Sequence, residues 1–293
     1  MPKSSPIQVE LTMLVENEAR GRGIIGEHGL SYFLKTKDHK ILFDCGQGMA
    51  LPNNVKKLNI PIEEVDHIIL SHGHYDHCGG LPYVLENNSI AEIWMHPQAT
   101  QAKYSAGLKV KPGIILTRDK IHQVSSDYME AKQFTSPKRR IHLTESPTEV
   151  VPGLWVTGKV ERKTDYEDTG GAFYLDPDGK KMDPIDDDMS IFFKSSKGLI
   201  IILGCAHAGV INTINHILKF TGEHKVHTLI GGMHLLLADD SRIKKTIEEF
   251  QRMGIEYMGP CHCTGVKPVH EIHQAWGSEH FIHCHAGMKR VFD

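Results

Sequence analysis

Three histidines and an aspartate lie within six residues of one another, in the run S-H-G-H-Y-D-H at positions 71–77. The run directly follows DHIILS, an apolar segment typical of a buried strand, so its side chains lie in the loop beyond that strand. Imidazole and carboxylate groups are ligands of divalent cations, and a tight loop can direct two of them one way and two another. The spacing therefore suits two adjacent metal ions, and the alternative is a solvated polar loop. The predicted ligands are His72, His74, Asp76 and His77.

Apolar and alternating segments recur on both sides of this loop and predict strands separated by helices. Predicted strands cover residues 7–15, 31–36, 40–46, 66–71, 91–97, 154–158, 172–175, 190–195, 198–204, 226–232 and 257–260. Predicted helices cover residues 51–60, 79–88, 209–222 and 241–254. Each half of the chain gives strands followed by strand-helix units, which predicts an α/β fold of two packed sheets with helices outside.

Single histidines follow three of the later apolar strands, each beside small residues. His207 follows GLIIILG, His234 follows HTLIGG, and His262 follows YMGP inside C-H-C. Open α/β architectures place their sites beyond the carboxyl ends of strands, so these histidines are candidates to complete the site. His207 and His262 are predicted metal ligands, with a capping or hydrogen-bonding role as the alternative. His234 is predicted to be catalytic, and whether it also binds metal stays open.

Other residues near these histidines are interpreted as hydrogen-bond partners of the ligands or as packing residues. Asp44 ends the segment KILFD and is predicted to accept a hydrogen bond from a ligating imidazole, with a turn residue as the alternative. His283 and His285 are interpreted as packing residues or as partners of ligands. Cys261 and Cys263 flank His262, but no second cysteine pair completes a structural zinc site, so they are interpreted as packing thiols.

The composition argues against several classes of protein. With 40% hydrophobic and 24% charged residues and a net charge of -3, the chain has the balance of an ordinary globular protein rather than a dedicated nucleic-acid-binding one. Its start lacks a signal-peptide pattern, and no run reaches about 18 apolar residues. Six cysteines are too sparse for a disulfide scaffold. We therefore predict a cytoplasmic protein without membrane or nucleic-acid partners, and a homo-oligomer is compatible with the sequence.

A segment of about 98–150 has little periodicity and is predicted to form a loop-rich cap or insertion. Between residues 98 and 147 it holds nine lysines and arginines against four acids. Together with Arg162 and Lys163, this excess predicts a small-molecule substrate that carries phosphate or another anion. The alternative is a solvated, ion-paired surface.

The motifs together resemble those of a known family. The H-x-H-x-D-H run, with an apolar strand before it and Gly-Gly-Leu after it, resembles the signature of the metallo-β-lactamase superfamily. Six segments are similar to the subfamily called β-lactamase superfamily II metal-dependent hydrolases: EHGLS (27–31), ILFDCG (41–46), LSHGHYDHCGGL (70–81), GCAHAGVINTI (204–214), IGGMHLL (230–236) and PCHCTG (260–265). The resemblance implies one domain over residues 1–293, an αββα sandwich of two mixed sheets.

The resemblance also implies a ligand set. In the superfamily the loop motif binds two metals, a further histidine completes one site, a bridging aspartate is usual, and a late histidine, matched here by His262, completes the other. This chain departs at Gly204-Cys205, where relatives commonly have Gly-Asp. His207 would take over a ligand role there, and the number of ions, one or two, stays open. Zinc suits the ligands, as do iron and manganese.

Three functions are compatible with such a site. The first, which we favour, is hydrolysis of a small anionic ester by metal-activated water whose pKa falls to roughly 7, with Asp76 ligating and orienting that water. The second is implied by the resemblance, because a described member of the subfamily is a transferase of methanopterin biosynthesis that joins a dihydropterin pyrophosphate to a ribofuranosylaminobenzene phosphate. The third is a non-catalytic, metal-dependent ligand-binding protein.

Overall fold

The apolar segments of the chain are assembled into two large mixed sheets and one small sheet. The computed structural model describes residues 5–106, 121–132, 134–135 and 139–293. Within these residues the strands are β1 (Val9–Val15), β2 (Ser31–Lys35), β3 (Lys40–Phe43), β4 (His67–Ile69), β5 (Glu92–Met95), β6 (Tyr104–Ser105), β7 (His122–Gln123), β8 (Ile141–Leu143), β9 (Thr148–Val151), β10 (Leu154–Val156), β11 (Phe173–Tyr174), β12 (Ser190–Ser195), β13 (Gly198–Leu203), β14 (Val226–Gly232), β15 (Tyr257–Cys261) and β16 (Lys289–Phe292). The α-helices are α1 (Ala50–Leu58), α2 (Tyr75–Cys78), α3 (Leu81–Asn87), α4 (Asp127–Glu130), α5 (Val210–Thr221), α6 (Asp240–Arg252) and α7 (Val266–His280).

Each large sheet combines a parallel part with an antiparallel part. The first has the order β16-β1-β2-β3-β4-β5-β8, and its strands β3, β4, β5 and β8 are parallel. The second has the order β15-β14-β13-β12-β10-β9, and β13, β14 and β15 are parallel. The small sheet, β11-β6-β7, is antiparallel. The parallel parts matter for function because neighbouring parallel strands end at the same edge of a sheet.

The two large sheets pack face to face through a shared apolar core. Along β13, Ile200 and Ile202 enter this core, whereas Ile201 and Leu203 point to the opposite face, as the two-residue period of a strand requires. Helices α1 and α3 cover the outer face of the first sheet, and α5, α6 and α7 cover that of the second. The predicted α/β sandwich of two mixed sheets between helices is confirmed.

Two elements near the end of the chain are not predicted by the sequence patterns. Helix α7 has a proline in its first turn and many polar residues, and Val269, Ile272 and Trp276 join the apolar cluster on the outer face of the second sheet. Strand β16 has four residues and pairs with β1 at the edge of the first sheet, so its alternating pattern is too short to stand out. Within the described part of the chain, none of the helices combines the length and apolarity that crossing a bilayer requires.

The predicted cap at about 98–150 is only partly separate from the sandwich. Strand β8 falls inside this range and β9 overlaps its end, and they extend the first and second sheets respectively. Strands β6 and β7 and helix α4 precede them. The remainder, residues 107–120, 133 and 136–138, lies outside the described residues. Five of the nine basic residues assigned to the cap fall there: Lys109, Lys111, Arg118, Lys120 and Lys138.

Candidate metal centre

The predicted ligands follow strands of both large sheets, along one edge of the sandwich. In the first sheet, β3 is followed by Asp44 and β4 by the 71–77 loop. In the second, the parallel strands β13, β14 and β15 lead to residues 204–207, His234 and His262 respectively. The structure brings all six predicted metal ligands into one cluster, and none is more than 7% exposed: His72, His74, Asp76, His77, His207 and His262.

Asp44 anchors the 71–77 loop. Its carboxylate accepts hydrogen bonds from the backbone N–H of Ser71 at 2.7 Å, from the Ser71 hydroxyl at 2.7 Å and from His77 Nδ1 at 2.7 Å. Both residues of the Asp44–His77 pair are fully buried. With its Nδ1 proton donated to Asp44, the His77 ring directs Nε2 toward the other candidate ligands.

One group of possible ligands consists of His72, His74 and His207, with one ring nitrogen from each within 4.8 Å of the others. His72 Nε2 and His74 Nδ1 are 2.9 Å apart. His207 Nδ1 donates to the carbonyl of Thr169 at 2.8 Å, so its lone pair is on Nε2. This buried Nε2 has no hydrogen-bond partner among the described residues. A buried unpaired acceptor costs about 1–3 kcal/mol, and a cation between the three rings removes that cost.

A second group consists of Asp76, His77 and His262. Asp76 Oδ2 lies 3.3 Å from His262 Nε2 and 3.8 Å from His77 Nε2, and the two Nε2 atoms are 3.3 Å apart. His262 Nδ1 lies 3.1 Å from Asn17 Oδ1, an acceptor, so Nε2 carries the lone pair of this ring also. Two ligands held at about 2.0–2.2 Å by one ion lie about 3 Å apart. These three ligand atoms therefore have the spacing that a second ion needs.

Cys205 lies where the two groups meet. Its Sγ is 3.0 Å from His77 Nε2 and forms a possible ligand group with His72 and His77. Burial raises the pKa of the thiol well above its ordinary value, and a neighbouring cation acts in the opposite direction. The thiol at Cys205 is thus placed to supply the ligand that the missing aspartate leaves out.

Burial and neighbouring carboxylates shift the pKa values of these histidines in opposite directions. Burial lowers the pKa of His72 and His74 well below the ordinary value, so both rings are neutral at pH 7 and their lone pairs are available. Burial also acts to lower the pKa of His77, but the carboxylates of Asp44 and Asp76 outweigh it and raise that pKa to about 9. At pH 7 and without a cation, the His77 ring therefore carries a proton on Nε2, and a bound cation would replace that proton.

Strained backbone is concentrated at the cluster. Four of the seven non-glycine residues with positive φ among the described residues are Asp44 (61°), Ala206 (55°), His234 (47°) and His262 (51°). Each such residue costs about 1–3 kcal/mol and persists only where the surrounding structure enforces it. Here the strain turns the chain sharply just after a strand, which directs the following side chains into the cluster.

His234 lies inside the cluster beside the first group. Its ring centroid is 4.1 Å from that of His207, and it forms a possible ligand group with Cys205 and Cys263. Gly170 covers the ring so closely that a Cβ there would lie 1.9 Å from His234 Nδ1. The structure therefore brings His234 to the site predicted for it and leaves both a catalytic and a ligand role available.

A cavity of about 720 Å³ opens over the ligands. Asp76, His207, His234 and His262 lie at its base, and Phe173 forms part of its wall. His283, interpreted from the sequence as a packing residue or a partner of a ligand, also lines this cavity. The cavity connects the cluster of candidate ligands to solvent and gives a small molecule access to it.

The two predicted substrate contacts lie elsewhere. Arg162 and Lys163 do not belong to the described lining of the cavity. Arg162 Nη2 donates to the carbonyl of Pro184 at 2.7 Å, and Lys163 Nζ pairs with Glu161 at 2.9 Å. Their role in substrate binding stays a prediction, and the geometry gives it no support.

Comparison with known proteins adds an independent observation. The family model described as the metallo-beta-lactamase superfamily matches residues 24–171, half of the chain. The chain belongs to this superfamily. The match begins before β2 and ends just before β11, so it includes the 71–77 loop and Asp44.

Relatives extend the superfamily assignment over almost the whole chain. A 7,8-dihydropterin-6-methyl-4-(beta-D-ribofuranosyl)-aminobenzene-5'-phosphate synthase of Methanocaldococcus jannaschii is 30% identical over 271 residues, covering 89% of this chain and 88% of that protein. An uncharacterized protein of the same archaeon, MJ0448, is 32% identical over 280 residues, covering 94% and 98%. The crystal structure of Tm1679, titled a metal-dependent hydrolase of the beta-lactamase superfamily, has a TM-score of 0.78 at 27% identity and covers 97% of this chain and 100% of that one.

The residues present in this superfamily member fit divalent metal ions. The unpaired, buried Nε2 of His207 and its convergence with ring nitrogens of His72 and His74 are the observations that decide this, because the described residues offer that Nε2 no hydrogen-bond partner. Neutral imidazoles, a carboxylate and a thiol are the donors that zinc prefers, and imidazole and carboxylate also suit iron.

Two contributors to the site are missed by sequence reasoning. His28 lies between β1 and β2, and its Nε2 is 3.2 Å from Asp76 Oδ2. Ser71 links Asp44 to His72, with its hydroxyl 2.9 Å from His72 Nδ1. The signal used for the other histidines is a position just after an apolar strand, and His28 precedes a strand instead. The only available signal for His28 is its place in the segment EHGLS.

We expect Asp44→Asn to weaken metal binding by about 10–100-fold. The amide can still accept from the Ser71 N–H through its oxygen, but its NH₂ group would face the protonated Nδ1 of His77. The His77 ring must then turn or change tautomer, which misdirects its lone pair. Competition with a chelator measures the affinity, and unchanged binding would show that the Asp44 contact does not orient the ligand.

Proposed function

We propose that this member of the superfamily is a metal-dependent hydrolase of a small anionic, phosphate-bearing substrate. The observation that carries the proposal is the buried ligand cluster at the base of a cavity of about 720 Å³. Cavities of roughly 300–1,000 Å³ are typical of small-molecule sites. We infer zinc as the metal, one or two ions per chain, with iron and manganese as the alternatives.

The charge of the ligand set supports an anionic substrate. The imidazoles of His72, His74 and His207 are neutral, and Asp76 is the carboxylate among the predicted ligands. The charge of one or two divalent ions is therefore only partly offset by the protein. A phosphate group would supply the missing negative charge. Arg20 lines the cavity, as do the acidic residues Glu16 and Glu18.

When bound, the ions supply Lewis acidity, which polarises the bond under attack and makes water a competent nucleophile near neutral pH. The side chains of the protein orient the water molecule and accept its proton. Burial acts to raise the pKa of Asp76, but the neighbouring imidazoles of His77, His262 and His28 outweigh it and hold this pKa well below the ordinary value. Asp76 is therefore an anion that can orient a water molecule, and His234 faces the same space as a neutral imidazole.

A second candidate function is transfer rather than hydrolysis. The relative from Methanocaldococcus jannaschii is named a synthase, and it is similar over 89% of this chain. In that reaction class a pyrophosphate leaving group departs from a dihydropterin, and the acceptor is a ribofuranosylaminobenzene phosphate instead of water. The apolar and aromatic wall of the cavity, with Phe173, Leu236 and Phe281, has space for flat rings.

The source of the oxygen in the product separates these functions. We expect the metal-loaded protein, incubated in ¹⁸O-labelled water with a panel of phosphoesters and lactones, to place the label in the product. Pyrophosphate release from a dihydropterin pyrophosphate, without label and only with the aminobenzene acceptor, would instead establish transfer. Tight binding of these compounds without turnover of any of them would contradict both hydrolysis and transfer. The protein would then be a non-catalytic ligand-binding protein.

A further inference from the structure

We propose that His28 is a metal ligand that binds the second ion together with Asp76 and His262. The inference rests on the proposed metal centre and adds a residue to it. One ligand atom from each of the three side chains lies within 4.8 Å of the other two. Asp76 Oδ2 is the common point, at 3.2 Å from His28 Nε2 and 3.3 Å from His262 Nε2. Both separations match the distance of about 3 Å between two ligands of one ion.

The backbone around His28 is fixed on both sides, although the side chain is on the surface. The carboxylate of Glu27 accepts from the backbone N–H groups of four residues at the start of α1: Gln47, Gly48, Met49 and Ala50. After His28, the backbone N–H of Leu30 donates to the carbonyl of Asp76 at 3.2 Å. Anchoring of the backbone on both sides limits the positions that the His28 ring can take, which favours a ligand role.

Gly29 shows how closely this segment fits against the metal-binding loop. A Cβ on Gly29 would lie 2.7 Å from the carbonyl oxygen of Asp76, so a side chain there would push the two segments apart. The absence of a side chain lets residue 28 approach residue 76. Gly29 therefore allows the ring of His28 to reach Asp76.

Asn17 connects the two histidines of the proposed set. Its Oδ1 accepts from the backbone N–H of Gly29 at 3.3 Å and lies 3.1 Å from His262 Nδ1. The contact with Nδ1 leaves Nε2 of His262 as the ligand atom, and the contact with Gly29 fixes the segment that carries His28. The rings of His28 and His262 are consequently stacked, with centroids 5.0 Å apart.

The position of His28 at the cavity gives it a distinct role among the ligands. Its side chain is 53% exposed, whereas that of Asp76 is 10% exposed and that of His262 is fully buried. His28 also lines the cavity. It is therefore the ligand on the open side of the second ion, next to the space that a substrate enters.

The test compares metal binding by the full chain and three variants. His28→Gln keeps an amide that can donate to Asp76 but removes the ligating nitrogen, and His28→Asp restores a ligand oxygen. The matched control is His270→Gln, because His270 is also an exposed histidine in the cavity wall but lies outside the ligand groups. Zinc stoichiometry and affinity are measured by dialysis and chelator competition, and cobalt-substituted protein gives a ligand-field absorption spectrum.

We expect two zinc ions per wild-type chain, with the weaker-bound ion at least tenfold weaker in His28→Gln and partly restored in His28→Asp. The cobalt spectrum should change in His28→Gln and stay as in wild type in the control. Unchanged affinity and an unchanged spectrum in His28→Gln would overturn the assignment of His28 as a ligand. That result would leave the proposal of a metal centre unaffected. A wild-type chain that binds no metal would instead refute the proposed function itself. Thermal melting in chelator checks that the variants fold.

Discussion

Replacing His74 with alanine is expected to weaken metal binding by at least about a hundredfold and to abolish turnover. Loss of a residue that only orients a ligand costs about 10–100-fold in affinity, and His74 supplies a ligand atom directly. Its Nδ1 lies 2.9 Å from His72 Nε2, and its ring is 95% buried between the loop and Phe173. Without His74, the first group of possible ligands keeps only His72 and His207. Metal content after dialysis, chelator competition and activity at saturating substrate measure the effect.

His96→Ala is the matched control for this experiment. His96 is also a buried histidine that follows a strand of the first sheet, at 2% exposure, but it lies outside the ligand groups. Its Nδ1 accepts from the backbone N–H of Gln98 at 3.2 Å. We expect this variant to keep its metal. Full metal content and wild-type turnover in His74→Ala would show that the 71–77 loop is not the metal centre.

Replacing Lys103 with methionine is expected to lower the free energy of unfolding by about 3–5 kcal/mol, because it leaves buried carboxylates without their cation. Lys103 is fully buried, and its Nζ lies 3.0 Å from Asp183 Oδ2 and 2.8 Å from Asp187 Oδ1. Burial acts to lower the pKa of Lys103, but the two carboxylates outweigh it and raise that pKa, so the side chain stays charged. Chemical denaturation of the metal-free protein measures the loss.

The same change is expected to disturb the metal centre. Asp187 Oδ2 accepts from the backbone N–H of Gly73 at 2.8 Å, so the ion pair of Lys103 also holds the loop between His72 and His74. A Cβ on Gly73 would lie 2.2 Å from the carbonyl oxygen of Ala99, which shows how little this loop can move. Metal affinity should therefore fall together with stability.

Two further variants make this prediction specific. Replacing Asp183 and Asp187 with asparagine in the Lys103→Met background should recover part of the lost stability, because the unpaired charges are then gone. Lys180→Met, which breaks an exposed pair with Asp178, should leave stability nearly unchanged. A Lys103→Met protein as stable as wild type would mean that the buried ion pair adds nothing to the fold.

Lys103 also shows where sequence interpretation fails. In the sequence it is one of nine basic residues in a segment predicted to meet an anionic substrate, and in the structure it is paired inside the protein. The sequence around it does not indicate its burial, because its partners Asp183 and Asp187 are about 80 residues further along the chain. Charge counts along a segment therefore do not predict which charges face a substrate.

The sequence by itself determined the alternation of strands and helices and the positions of most candidate ligands. Both follow from local patterns, since the two-residue period of a strand is set by near neighbours in the chain. The 71–77 loop, His207, His234 and His262 each come just after an apolar strand, and that placement is visible without a structure. The family resemblance rests on the same local segments.

Only the tertiary structure decided which of these residues meet. His28, Asp76 and His262 come together because β1, β4 and β15 end at one edge of a sandwich built from pairings between distant strands. Cys205 reaches His77 across 128 positions, while Arg162 and Lys163 stay outside the described cavity lining. Such contacts depend on sheet order and on how the two sheets pack, and no local pattern in the chain encodes them.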